Sequence, residues 1–240
     1  MAAAQNGGFF NGTVGAEVDE VFGLVMCYTD APDTECVDCL TRAPEGIMKL
    51  CPHSRTVRAV YGACTLRYSN ELFFFVADLA IEHHHVQQIS PYYSDAVLFN
   101  KNSDAVTIAA YLVDIAGMSR TRFELFRRLT ERARLLAGRV AWDNQRFTDA
   151  QEMNAGVQCT RDLPASECMR CLSNFTDQLP RLLPTNSSSA IKGYSCYLIY
   201  FITTKKPLVR DLVNRWDSES YETSSDQAAK ESERSIERQK

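Results

Sequence analysis

The chain has 240 residues, enough for two domains of about 100–130 residues each. Its formal charge of −4 lacks the basic surplus of a nucleic-acid binder. No run approaches the roughly 18 apolar residues a membrane span needs, so no transmembrane segment is expected in the chain.

The first 19 residues give no strong element, and Met-Ala-Ala-Ala-Gln-Asn-Gly-Gly has neither the basic start nor the apolar stretch of a signal peptide. Residues 20–28 (Glu-Val-Phe-Gly-Leu-Val-Met-Cys-Tyr) form a β-rich run that ends in the turn Thr29-Asp30-Ala31-Pro32. Pro32 to Leu50 reads as a helix with Thr29 or Asp30 as N-cap, interrupted at Pro44-Glu-Gly46 and stopped by Pro52. Residues 56–68 alternate as one or two strands, and Leu72 to Val76 predicts another. Residues 81–103 read as a linker. Ala105 to Gly138 has helical periodicity, with a break expected at Gly117-Met-Ser. A strand (152–160), a helix (164–182) and strands (191–203) follow. Beyond Arg215 the chain turns Ser/Glu/Gln/Lys-rich, the composition of a disordered tail. The order predicts an α+β fold of two tandem modules, each with helices packed on one face of an antiparallel sheet. The expected boundaries are 1–80 for the first module, 81–103 for the linker, 104–206 for the second and 207–240 for the polar tail.

Cysteine supplies the strongest signal. Cys27, Cys36, Cys39 and Cys64 recur 132 residues later as Cys159, Cys168, Cys171 and Cys196, each set reading C-x8-C-x2-C-x24-C. Asp, Pro, Glu and Leu keep register between the copies. Nine cysteines in ordered spacing point to an oxidising compartment, as do the sequons at Asn11, Asn174 and Asn186, read as glycosylation sites. The ninth, Cys51, stands where the second repeat has Leu183, and it has no partner in the chain. The expectation is that an N-terminal piece of repeat one, with a signal peptide and one cysteine, lies outside these residues. A cytosolic protein with a free Cys51 is the rival. Zinc is disfavoured, because neither repeat has a second C-x2-C knuckle.

Val-Phe-Gly-Leu-Val-Met-Cys27, the C-x8-C-x2-C-Leu spacing, Leu-Cys51-Pro and Cys64-Thr-Leu-Arg-Tyr68 together resemble the plant ginkbilobin-homologous module, also called the stress-antifungal or cysteine-rich receptor-like module. The resemblance covers about residues 9–76 and 100–203. It implies a secreted, disulfide-stabilised α+β fold with the pairings Cys27–Cys36, Cys39–Cys64, Cys159–Cys168 and Cys171–Cys196. It also implies a place outside the cell, in the apoplast or on the outer face of the plasma membrane, as a secretory protein or a receptor-like kinase ectodomain. Mannose-binding members use an Asn, an Arg and a Glu. Here the Arg is Arg58, the Glu is replaced by Ser69, and repeat two has Ala190 and Phe201 at those positions.

Arg58 is therefore the candidate sugar-binding residue, set against the plainer reading of an exposed strand arginine. His83-His84-His85 reads as a solvated linker and not as a metal site. The Arg-rich stretch 120–139 reads as an amphipathic helix with a solvated basic face. No GxSxG, HExxH, P-loop or kinase signature occurs. The sequence thus predicts a non-enzymatic extracellular recognition module of plant stress or defence, without cofactor or metal. Its expected partner is a mannose-type carbohydrate or an apoplastic protein. A mannose-binding antifungal lectin is the alternative.

Overall fold

The computed structural model describes residues 2–86, 105–148, 151–183 and 188–204. A one-turn helix α1 (Ala2–Gln5) leads into strands β1 (Phe9–Val14) and β2 (Val21–Cys27), then helix α2 (Asp33–Leu50) and strands β3 (Val57–Val60), β4 (Cys64–Ser69) and β5 (Ile81–Val86). The long helix α3 (Ala105–Ala133) precedes β6 (Val140–Thr148), β7 (Gln151–Cys159), α4 (Ala165–Leu182), β8 (Ser188–Gly193) and β9 (Cys196–Thr204). All strand pairs are antiparallel, in two sheets of order β1-β2-β4-β3 and β5-β8-β9-β7-β6.

The fold is α+β, and its layers follow from strand alternation. Val25, Cys27 and Leu66 face α2, where Leu40, Ala43 and Ile47 close the first core. In the second module α3 and α4 cover Met153, Ala155, Val157 and Leu198. The opposite faces of the two sheets meet. Leu24, Met26 and Tyr28 from β2 and its exit share one cluster with Ala190, Tyr197 and Ile199 from β8 and β9. The molecule is therefore stacked helix, sheet, sheet, helix.

Four disulfides lock the helices to the strand ends: Cys27–Cys36 and Cys39–Cys64 in the first module, Cys159–Cys168 and Cys171–Cys196 in the second. Cys51 is free and half-buried. Equivalent cysteines join equivalent elements, as the shared spacing requires.

Several sequence expectations are corrected. The helix from Asp33 to Leu50 runs unbroken through Pro44, which lies on its exposed side. Buried Leu40, Ala43 and Ile47 hold the turns on either side of it. The N-cap position is Pro32, and neither Thr29 nor Asp30 caps by side chain. Gly117 does not break α3, because buried Met118 carries that turn into the core and an internal glycine costs only about 1 kcal/mol. Leu72 to Val76 is not a strand. Phe73 and Phe74 instead pack an irregular segment onto the inter-sheet cluster, and Phe75 adopts φ +68. Residues 81–86, read as the start of the linker, form β5 and pair with β8 of the second sheet. The remainder of that linker, the tail from 207 and Asn186 lie outside the described residues.

Candidate functional site

Arg58 stands on β3, the edge strand of the first sheet, opposite Arg67 on β4. Partners in an antiparallel pair project to the same face, so two guanidinium groups converge there, and Asp78 answers both. Its Oδ2 accepts from Arg58 Nη1 at 2.8 Å and lies 3.8 Å from Arg67 Nη2. Arg67 is nearly buried, stacks 4.4 Å from the Phe73 ring centre and donates to Ser195 Oγ at 3.1 Å. Burial lowers its pKa, whereas the hydrogen bond to Asp78 raises that of the more exposed Arg58.

Arg58 also lies over the Tyr194 ring, 5.1 Å from its centre. Arg58, Val60, Tyr61 and Gly62 of the first module and Glu82, Lys192 and Tyr194 from the second sheet and its β8–β9 turn enclose a cleft of about 600 Å³. Lys192 donates to the Gly62 carbonyl and sits 4.6 Å above the Tyr28 ring, and burial lowers its pKa. Burial and the adjacent Glu82 carboxylate push the Tyr194 phenol up to about 12. It is therefore a neutral donor at any physiological pH. A fixed guanidinium, an ammonium, a phenol, a carboxylate and two aromatic rings can donate to, accept from and stack on a polar ligand.

The cleft exists only because the modules are locked together. Gln158 Nε2 donates to Cys27 O at 3.0 Å, and its Oε1 accepts from Thr29 N at 2.9 Å. Arg161 donates to the Asn6 and Gly7 carbonyls. Ala77 N–H donates to Glu167 Oε2 at 2.8 Å, while Arg170 Nη2 donates to Ala77 O at 3.0 Å.

The other residues named from sequence fall elsewhere. Ser69 is buried and spent on Thr56 Oγ1 and the Glu71 N–H, each at 3.0 Å. Ala190, at the Arg58 position of repeat two, is buried between the sheets, so that repeat has no matching arginine site. Asn11 is half-exposed on β1, and Asn174 on α4 accepts from Gln178 Nε2 at 3.2 Å. His83, His84 and His85 lie on β5. Among the described residues no His/Cys/Asp/Glu group could hold a metal ion. Arg122 departs from the solvated-face reading: it is buried in α3, donating to Leu183 O at 2.5 Å and Tyr200 Oη at 3.0 Å. Lys192, Tyr194 and Glu82 were missed from sequence. Only the docking of the second sheet brings them to Arg58, and no local pattern encodes that.

Residues 1–71 match the family model described as "Salt stress response/antifungal". The chain is 27% identical over 204 residues to cysteine-rich repeat secretory protein 38 of Arabidopsis thaliana, covering 81% of this chain and 69% of that one. It is 24% identical to the antimicrobial ginkbilobin-2-like protein of Castanea crenata, covering 80% and 71%. Against cysteine-rich receptor-like protein kinase 6 of Oryza sativa it is 25% identical over 84% of its own length, yet it spans only 28% of that kinase. The tandem DUF26 ectodomains of the Arabidopsis thaliana cysteine-rich receptor-like proteins PDLP8 and PDLP5 share the fold, with TM-scores of 0.55 and 0.56 at 20% and 19% identity. Each match covers 83% of this chain, with 82% and 84% of the respective ectodomain. The first repeat thus carries the salt stress response/antifungal domain, the second repeats its cysteine framework, and together they adopt the fold of the tandem DUF26 ectodomains.

Proposed function

We propose that this protein is a non-enzymatic extracellular recognition module of plant stress or defence, and that the cleft around Arg58 is its ligand seat. The observation that carries this reading is the fixed Arg58 side chain. Asp78 and Tyr194 hold it at the mouth of a cleft built from both modules. The relatives are secretory proteins and receptor-like kinases, which supports an extracellular place, either as a free secretory protein or as the outer part of a receptor. The groups lining the cleft are suited to holding a ligand, and none of them forms a nucleophile–base pair.

A mannose-type glycan is favoured as ligand over a protein surface by one feature. The cleft alternates hydrogen-bonding groups with the rings of Tyr61 and Tyr194, and sugars offer hydroxyls and an apolar face together. Titration of the oxidised protein with mannose-terminated oligosaccharides tests this. Binding should fall at least tenfold in Arg58→Ala and in Tyr194→Ala while the four disulfides stay intact. Absence of binding by the folded protein would discard the glycan and leave an apoplastic protein as the partner.

A further inference from the structure

Trp142 on β6 is laid flat against the second sheet. A Cβ added at Gly156, its register partner on β7, would meet Cδ2, Cε2 and Cζ2 of the indole at 2.7 Å each. A point equidistant from three atoms of one six-membered ring lies on the axis of that ring, so the indole sits face-on over the Gly156 backbone. Only glycine leaves this cradle open, although a glycine inside a strand weakens it. The ring is also held in its own plane, because Nε1 donates to Thr29 Oγ1 of the first module at 3.2 Å. With one face on the strand and the N–H engaged, the 38% of Trp142 that stays exposed falls to the opposite face and the rim.

Strand alternation puts a row of amides on the same face. Asn144 on β6 pairs with Asn154 on β7, and Asn154 with Phe201 on β9. That row lies two residues, about 7 Å, along the strands from Trp142 and Gly156. Asn144 is exposed, Asn154 and Phe201 are half-buried, and Asn154 Nδ2 donates to Thr203 Oγ1 at 3.0 Å, which orients its amide. The acid on this face, Glu152, stands opposite Arg146, so the surface offers no acidic wall to a cation stacked on the indole. A protein partner would want continuous apolar area, whereas here amides interrupt the two rings. A pyranose with equatorial substituents fits both parts at once: its C–H face covers a ring and its hydroxyls reach amides at the edge. Equatorial linkages keep successive sugars extended, as the flat rows of a sheet require. We infer that this face of the second sheet binds a neutral, β-1,4-linked, gluco-configured oligosaccharide, one sugar stacked on Trp142 and a neighbouring one hydrogen-bonded to Asn144 and Asn154. The site is separate from the Arg58 cleft and does not depend on what that cleft holds.

Trp142 and Trp216 are the two tryptophans of the chain, so in a Trp216→Phe background the emission reports Trp142 alone. Titrating the oxidised full chain with cellohexaose or with chitohexaose should move that emission to shorter wavelength and shield it saturably from acrylamide. The tighter ligand shows whether position 2 of the sugar carries a hydroxyl or an acetamido group. Maltohexaose, α-linked and curved, should do neither. Asn144→Ala removes an exposed side chain and should weaken binding about fivefold, the worth of one hydrogen bond. Gly156→Ala lifts the ring off the strand and should weaken it at least tenfold, with circular dichroism and a disulfide count verifying the fold. Arg58→Ala should leave it unchanged, which separates this site from the cleft. Silence of Trp142 towards both hexasaccharides, or binding indifferent to Asn144→Ala and Gly156→Ala, would overturn the inference. So would binding lost in Arg58→Ala, or an emission already shielded in the free protein, because the chain itself would then cover the ring.

Discussion

Glu167 illustrates how much a single side chain holds between the modules. Its carboxylate accepts from Arg170 and from the backbone N–H of Ala77, in that order of effect, and both lower its pKa. A carboxylate depressed in the folded state contributes stability above its ordinary value of about 4.3, and that contribution is lost as pH falls through the folded value. Protection of the Ala77 amide against hydrogen exchange, taken relative to its intrinsic rate, should therefore be high at neutral pH and fall in acid below the ordinary carboxylate range. Glu167→Gln should make exchange there fast and nearly pH-independent apart from its intrinsic rate. Gln158 is the complementary case, neutral and buried, with both ends of its amide used across the interface. Gln158→Ala strands the Cys27 carbonyl and the Thr29 N–H, at a cost of about 2–3 kcal/mol measurable by denaturant unfolding.

Among the elements, the paired helices α2 and α4 are pinned by equivalent bridges in unequal surroundings. The chain-entropy model credits the short loops with about 2.7 kcal/mol and the long ones with about 3.5 kcal/mol, the same in both modules. Access differs. Cys159, Cys168, Cys171 and Cys196 are fully buried, whereas Cys39 is half-buried. Under limiting dithiothreitol with alkylation and mass spectrometry, Cys39–Cys64 should open first and the second module's bridges last. These helices and the strands they grip were legible in the sequence, because the repeat of C-x8-C-x2-C-x24-C fixes helix and strand at the same offsets twice. The edge strands β1, β5 and β6 were not. β6 alternates weakly through Asp143, Asn144, Gln145 and Arg146, and β1 carries Asn11 and Gly12. Both exist because a central strand offers them hydrogen-bond partners, which is a tertiary cause and leaves little local trace. Arg58 was legible only as a candidate, since its ring partner arrives from the other repeat.

For the whole molecule, the decisive contact is sheet against sheet. Tyr28 and Tyr197 meet at 4.7 Å between ring centres, and burial raises the pKa of both phenols. Tyr197→Ala should cost about 3–5 kcal/mol and split a single unfolding transition into two, which calorimetry would resolve. Retention of one transition would mean that the hydrogen bonds of Gln158, Arg161 and Glu167 suffice to couple the modules. The strand β5 adds a further constraint. It follows the first module in sequence but belongs by its hydrogen bonds to the second sheet. Cutting the chain where repeat arithmetic suggests, near residue 103, would strip that strand away and leave β8 as a bare edge open to association. The unit of structure is therefore offset from the unit of sequence: the second sheet takes its edge strand from the stretch that joins the repeats, so the second module can be inherited, swapped or expressed with a whole sheet only when residues 81–86 travel with it.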